Sequence, residues 1–176
     1  MVEKPTEPVY FVHISDSHFG PTAVYERHGH QPQPAVERAV EIINNLPTRP
    51  DFVIHTGDVV TDPDISSYRR AAAVFSQLQV PVYFVTGNHD RSRDIQQYLT
   101  LGPRQPLSDD PEVLSYAFEV KGYRFAVLDA RGPDEIDPHG LCSEAQLHVV
   151  RAEAPAVGPP PLLFMYFTWL PLHSIS

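Results

Sequence analysis

Five residues of this chain are of types that hold cations or move protons, and each follows closely behind an apolar run. Asp16 and His18 stand two apart behind residues 9–14. Asp58 follows Gly57 behind residues 52–56, and Asn88 and His89 follow Gly87 behind residues 81–86. Carboxylate, imidazole and amide oxygen together suit Mn²⁺, Fe²⁺/Fe³⁺ or Zn²⁺, and the absence of thiolate from the set argues against a closed structural zinc site. Each motif alone has a plainer reading, since Ser15 and Asp16 are good helix caps and buried polar groups are commonly satisfied core residues. Three such motifs in order, each behind a strand-like run, are hard to attribute to capping alone.

The runs that precede these residues are short, β-branched and aromatic, as buried parallel strands are. Residues 65–79 carry Tyr68, Ala72, Phe75 and Leu78 at three-to-four spacing, which predicts an amphipathic crossover helix. Residues 34–46, with Val36, Ala39, Val40 and Ile43 on one face, predict another. The chain therefore reads as α/β with a β-α-β-α-β start and right-handed crossovers. Further on, the pattern predicts a short helix over 91–99 and a polar loop to about Pro111. A hairpin of 114–120 and 123–128 should turn on Lys121-Gly122. A helix capped by Ser143 should occupy 143–152, and a last strand 162–167. No internal repeat or linker is visible, and residues 1–176 read as one domain.

Ligands of open α/β sheets sit at the carboxyl ends of strands. If the three strand ends face one edge, Asp16, His18, Asp58, Asn88 and His89 converge there, and Asp58, from the middle motif, could bridge two cations. Two cations about 4 Å apart clamp the attacking and leaving oxygens of a phosphoryl transfer and generate hydroxide near neutral pH. An imidazole outside the metal shell could then protonate the leaving alkoxide.

Composition narrows the partners. The 13 basic against 22 acidic residues leave a net charge of −9, which argues against a nonspecific grip on nucleic acid and fits a carboxylate-rich cation site. The single cysteine, Cys142, excludes an internal disulfide framework and suits a reducing compartment. Residues 1–8 are charged and proline-containing, unlike a signal peptide. The longest apolar run, 159–172, is broken by prolines and too short to span a bilayer. The expectation is a soluble, cytoplasmic protein with no membrane partner.

Asp16-Ser-His18, Gly57-Asp58 and Gly87-Asn-His-Asp90 resemble the first three blocks of the calcineurin-like metallophosphoesterase family. The phrases DFVIHTGDVVTDP, PVYFVTGNHD and YRFAVLDARG are most similar to its bacterial class III cyclic-nucleotide phosphodiesterase branch. The resemblance covers the chain from Val9 onward. It implies a sandwich of two β-sheets flanked by helices with a binuclear centre at the strand ends. It also implies hydrolysis of a small phosphodiester, such as a cyclic nucleotide, by metal-bound hydroxide. By the same resemblance Asp16 and His18 would bind the first metal, Asp58 would bridge, Asn88 would bind the second, and His89 would be the acid beyond the metal shell.

The chain departs from that pattern late. The family's fourth block is a strand ending in histidine, whereas here Tyr166 or Phe167 stands at that point; the fifth, Gly-His-x-His, has no counterpart up to Ser176. His173, past a proline in a polar tail, is a poor substitute. The domain is therefore expected to be C-terminally incomplete, with the first metal site largely kept and the second nearly abolished. Two alternatives follow: a catalytically weak or silent metal-binding relic, or a domain completed by a partner chain. An apolar segment 162–172 without its neighbouring strands is expected to drive a homodimer or aggregation.

The remaining candidates have plain readings. His13 and His55 lie within strands as core or supporting histidines. His28 and His30 belong to a solvated loop, and His139 and His148 to the surface. Asp62 and Asp64 cap the next helix, and Tyr10, Tyr83, Phe84 and Phe125 are strand core.

Overall fold

The computed structural model describes residues 7–131, 140–153 and 160–167. Three strands, β1 (Phe11–Ile14), β2 (Phe52–His55) and β3 (Val82–Phe84), form a parallel sheet with β2 in the middle. Ile14 pairs with His55 and His55 with Phe84, so all three strands end in one row. Two helices make the crossovers, α1 (Pro32–Asn44) and α2 (Ile65–Phe75). Helix α1 has no side-chain cap and opens on proline, whose missing N–H removes one of the donors otherwise left unmet at a helix start. Helix α2 is capped by Asp64, whose carboxylate accepts the Ser67 N–H at 3.0 Å. Asp62 offers only its backbone carbonyl, to Asp64 N–H, so one of the two expected caps acts as such. A short helix α3 (Ser92–Tyr98) follows β3.

The second sheet has the order β4 (Gln105–Pro106), β5 (Tyr116–Val120), β6 (Tyr123–Val127), β7 (Leu162–Phe164), with β7 parallel to β6. The β5–β6 hairpin turns on Lys121 and Gly122, both at positive φ, as the twist of a two-residue loop requires. Helix α4 (Glu144–Glu153) begins with a reciprocal cap: Ser143 Oγ accepts the Gln146 N–H while Gln146 Oε1 accepts the Ser143 N–H. Strand β4 was not expected, because a proline in so short a run discourages a strand. The two sheets with helices agree with the α/β sandwich expected from the sequence. Among the described residues no helix is long and apolar enough to cross a membrane.

Aromatic rings join the sheets. Tyr83 of β3 stacks on Phe118 of β5 at 3.7 Å, and Phe52 of β2 lies 5.3 Å from Phe118 and 5.2 Å from Phe125. Full burial of one such ring stabilises by roughly 1.5–3 kcal/mol. The Tyr116 hydroxyl reaches across, accepting from Phe84 N–H (3.0 Å) and donating to Phe84 C=O (2.8 Å). It thereby satisfies the polar groups on the side of β3 away from β2, where the sheet ends.

Two expectations of core placement fail at β1, the outer strand on the other side among the described residues, and at the residue before it. Tyr10 is 53% exposed, and its N–H is held by Asp51. His13 is exposed too, with Nε2 2.7 Å from Thr56 Oγ1. Phe11 stacks on Phe52, but beyond it this face of the strand runs into solvent. Tyr83, Phe84 and Phe125 are core as expected.

His55 is fully buried. Gly57 N–H donates to its Nδ1 (3.3 Å), so Nε2 carries the proton and donates to Ser17 Oγ (2.9 Å), which in turn donates to Val59 C=O. Burial, with the nearby charges of His13 and His18, depresses the imidazole to about 3. The folded pKa lies below the unfolded value of about 6.5, so the native state refuses a proton that the unfolded chain accepts. The contribution of His55 is thus complete above pH 6.5 and declines as the pH falls toward 3. Urea denaturation is expected to show a loss of about 2 kcal/mol from this group between pH 6.5 and 5, and His55→Gln should flatten that slope. An identical slope in the variant would refute the assignment.

Candidate metal centre

Because β1, β2 and β3 end in one row, the residues after them meet. The pairing of β1 with β2 continues past the strands as a backbone ladder: Asp16 N–H to Gly57 C=O, His18 N–H to Asp58 C=O and Phe19 N–H to Val59 C=O, at 2.9–3.0 Å. The ladder forces a left-handed backbone at Asp16 (φ 58°), His18 (φ 45°) and Asp58 (φ 57°). Aspartate tolerates that region; for histidine it costs on the order of 1 kcal/mol, the kind of strain that functional sites retain. In return the three side chains face one point. One donor atom from each of Asp16, His18 and Asp58 lies within 4.8 Å of the others. His18 Nε2 is 3.7 Å from Asp16 Oδ1 and 3.8 Å from Asp58 Oδ2.

Close packing then fixes Asp58. A Cβ on Gly87 would sit 2.2 Å from both the backbone nitrogen and Oδ1 of Asp58, so only glycine lets the two loops approach. His89 N–H donates to Asp58 Oδ1 at 3.0 Å, and half-buried Asn88 lies between these two contacts. His89 Nδ1 is 2.7 Å from Thr61 C=O. A carbonyl only accepts, so Nδ1 carries a proton, and the His18 ring lies 5.2 Å away, edge-on.

The residue that ties the loops is one to which sequence reading gave no role. Asp90 is fully buried and takes the N–H groups of Val59 (3.0 Å), Val60 (3.2 Å) and Gly87 (3.0 Å). Burial raises its carboxyl to about 6, against the pull of these donors, and the charge of Asp58 adds to the rise. The signal was present as the last residue of Gly87-Asn-His-Asp90, but its partners are backbone groups about thirty residues away.

The donor set fits a divalent ion. Donors about 2.1 Å from one ion lie roughly 3.0–3.4 Å apart, close to the spacings here. Burial and the positive charge of Arg27 lower the basicity of His18, the direction that favours the neutral form needed for ligation. Its Nδ1 is buried without a hydrogen-bond partner, so the ring is aimed by the strained backbone alone.

The Tyr166 hydroxyl donates at 2.8 Å to Asp58 Oδ2, the oxygen that also lies 3.8 Å from His18 Nε2, and its ring packs where a Cβ on Gly57 would be. Of the two aromatics at the end of the last strand, Tyr166 is therefore the one at the site. Burial and the Asp58 carboxylate push its phenol well above the usual range. Thr168, Trp169, Leu170 and His173 lie outside the described residues, as does His139; His148 is exposed as expected. A cavity of about 410 Å³ opens beside Asp16 and His18. Another of about 390 Å³, lined by Leu107, Asp129 and Arg131, includes none of the three strand-end motifs.

The sequence model of the calcineurin-like phosphoesterase family matches residues 9–152. A 3',5'-cyclic adenosine monophosphate phosphodiesterase of Pseudomonas aeruginosa is 26% identical over 150 residues, 85% of this chain and 51% of the relative. A glycerophosphodiester phosphodiesterase of Enterobacter lignolyticus is 32% identical over 120 residues, 67% of this chain and 42% of the relative. A cAMP/cGMP dual specificity phosphodiesterase of Mycobacterium tuberculosis is 26% identical over 171 residues, 89% of this chain and 48% of the relative. The chain thus spans about half the length of the curated relatives it matches.

Removing the Asp90 carboxylate leaves three N–H groups without their acceptor in a buried place. At about 1–3 kcal/mol for each unmet group, Asp90→Ala is expected to lose roughly 3–5 kcal/mol in urea denaturation. A loss under about 1 kcal/mol would show that the loops hold together without this clamp.

Proposed function

Since the chain belongs to the calcineurin-like phosphoesterase family, we propose that it is a metal-dependent hydrolase of small phosphodiesters such as cyclic nucleotides. The observation that carries this reading is the meeting of Asp16, His18 and Asp58 within 4.8 Å, with the His89 ring 5.2 Å from that of His18. The names of the relatives support the diester class.

In this reading Asp16, His18 and Asp58 hold the first ion, and Asp58 and Asn88 face a second. Mn²⁺, Fe²⁺/Fe³⁺ and Zn²⁺ all suit the donors. A bound ion supplies Lewis-acid polarisation of a phosphoryl oxygen and acidifies water. Asp58 is the only carboxylate common to both positions. The Gly87 contact and the His89 N–H fix its carboxylate in place, which is the preorganisation such a role needs. His89, its Nδ1–H anchored on Thr61, would protonate the departing oxygen from Nε2 in the doubly protonated imidazolium form.

One observation favours a weakened enzyme. Tyr166 donates to Asp58 Oδ2, one of the two oxygens a bridging carboxylate would need to share. That oxygen is also the one 3.8 Å from His18 Nε2, so the bond competes for a donor of the first ion. The first site still ranks as the stronger, because it has Asp16, His18 and Asp58 against Asp58 and Asn88 alone. Leu162 of β7 is exposed, and β7 is the outer strand of its sheet among the described residues. We extend the reading to self-association through residues 162–172, which light scattering with Phe167→Lys would test: a monomer at all concentrations, unchanged by the substitution, rejects it.

Calorimetric titration with Mn²⁺ is expected to give one tight and one weak site, with the tight site lost in Asp16→Ala and the weak one strengthened in Tyr166→His. Two equal tight sites would overturn the ranking. In assays with bis-p-nitrophenyl phosphate and Mn²⁺, Asp58→Asn should abolish turnover. His89→Ala should spare metal binding and lower turnover by roughly 10²–10⁴-fold. Hydrolysis by Asp58→Asn equal to the parent's would place the activity elsewhere.

A further inference from the structure

The loop between β1 and α1 ends in a tight reverse turn. Arg27 N–H donates to His30 C=O (2.8 Å) and His30 N–H to Arg27 C=O (3.0 Å), with His28 (φ 51°) and Gly29 (φ 78°) both left-handed between them. A Cβ on Gly29 would meet nothing within 4 Å, so glycine is needed there for its backbone angle and not for space. The turn is moored from outside: Arg70 donates to Pro21 C=O (3.1 Å) and to Gln33 Oε1 (3.2 Å), linking α2 to this loop and to the start of α1.

Arg27 is used differently. Its side chain is half-buried, and no ion pair or hydrogen bond joins the guanidinium to a described residue, although the chain carries a net charge of −9. It lines the 410 Å³ cavity together with Asp16 and His18, and its charge acts on His18. Leaving a guanidinium half-desolvated and unpaired is unfavourable unless an anion visits it. Part of the lining is apolar: Pro32, Val36 and Ala39 of α1 and Ile14 of β1 border the same space and are only half-buried. The volume falls in the range that encloses a small organic ligand.

We propose that this cleft, a feature absent from the metal-binding reading of the site, is the substrate pocket. Arg27 pairs with a non-bridging oxygen of a phosphodiester monoanion, and the α1 wall takes its organic substituent. The proposal rests on the phosphodiesterase reading for its ligand class but not for its test. The geometry sets the order of parts: cation cluster, phosphate on Arg27, apolar group against α1. The carboxylate of Asp16 in the same cavity repels a phosphate until a cation neutralises it, so the pocket should work only with metal present.

The test uses dibutyl phosphate titrated into the full chain with Zn²⁺, followed by NMR of the His28 and His30 ring protons, alongside bis-p-nitrophenyl phosphate kinetics with Mn²⁺. Arg27→Gln is expected to weaken binding and raise KM by roughly 10- to 100-fold, the range for losing one charge-assisted contact, with Zn²⁺ affinity retained; Arg27→Lys should restore part of it. Ala39→Trp, which fills the apolar wall, should weaken dibutyl phosphate while sparing dimethyl phosphate. Dependence of binding on Arg27 with no hydrolysis by the parent would uphold the pocket and overturn the proposed activity. Hydrolysis by the parent with KM and binding unchanged in Arg27→Gln would do the reverse. Failure of the parent to bind dibutyl phosphate with Zn²⁺ present would overturn the pocket.

Discussion

The Asp90 carboxylate accepts the backbone N–H groups of Val59, Val60 and Gly87, and the spacing of the loops after β2 and β3 follows from those bonds. Neither loop has another carboxylate so buried. Without the acceptor, Val59 and Val60 would present bare donors to the core, and Gly87 would have no reason to approach Asp58. With it, Asp58 is pressed against a glycine and handed the N–H of His89. Asp90 takes no part in the cavity, yet every distance around Asp58 depends on it.

That arrangement is electrostatically unfavourable in the absence of a cation. Asp58 raises the Asp90 carboxyl, and Asp16 adds a third carboxylate on the near side. Asp16 and Asp58, with the left-handed His18, form a site whose repulsion a bound divalent ion would relieve. The ladder from Asp16 to Phe19 keeps the site open at that energetic cost, and the buried His55–Ser17 pair supports the loop from below.

The two sheets divide the labour. The parallel sheet supplies the cluster, and the second sheet supplies the aromatic layer on which it rests, through Tyr83, Phe118, Phe52 and Phe125. The second sheet touches the cluster directly through Tyr166, two residues beyond β7. The cavity beside the cluster is lined from elsewhere again, by the moored turn that carries Arg27 and by the apolar flank of α1. In an acidic chain, the Arg27 guanidinium lines this cavity without an ion pair among the described residues.

Local chemistry made much of this protein legible in its sequence. Apolar runs stopping at Gly57 and Gly87 identify strands, spacing identifies α1 and α2, Lys121-Gly122 identifies a hairpin, and Asp64 and Ser143 announce helix starts, because each depends on neighbours within a few residues. The convergence of Asp16, His18 and Asp58 was legible too, since parallel strands joined by helices must end on the same side. What only the tertiary structure decided are matters of long-range registry. It chose Tyr166 over Phe167 as the aromatic at Asp58, exposed Tyr10 and His13, and gave Asp90 three backbone partners. It also turned Arg27 into the wall of a cavity instead of a solvated loop residue. Each of these depends on which atoms from distant segments arrive within 3 or 4 Å, and periodicity along the chain carries no information about that. A strand's alternation says which side chains share a face; whether anything covers that face is decided by the rest of the chain.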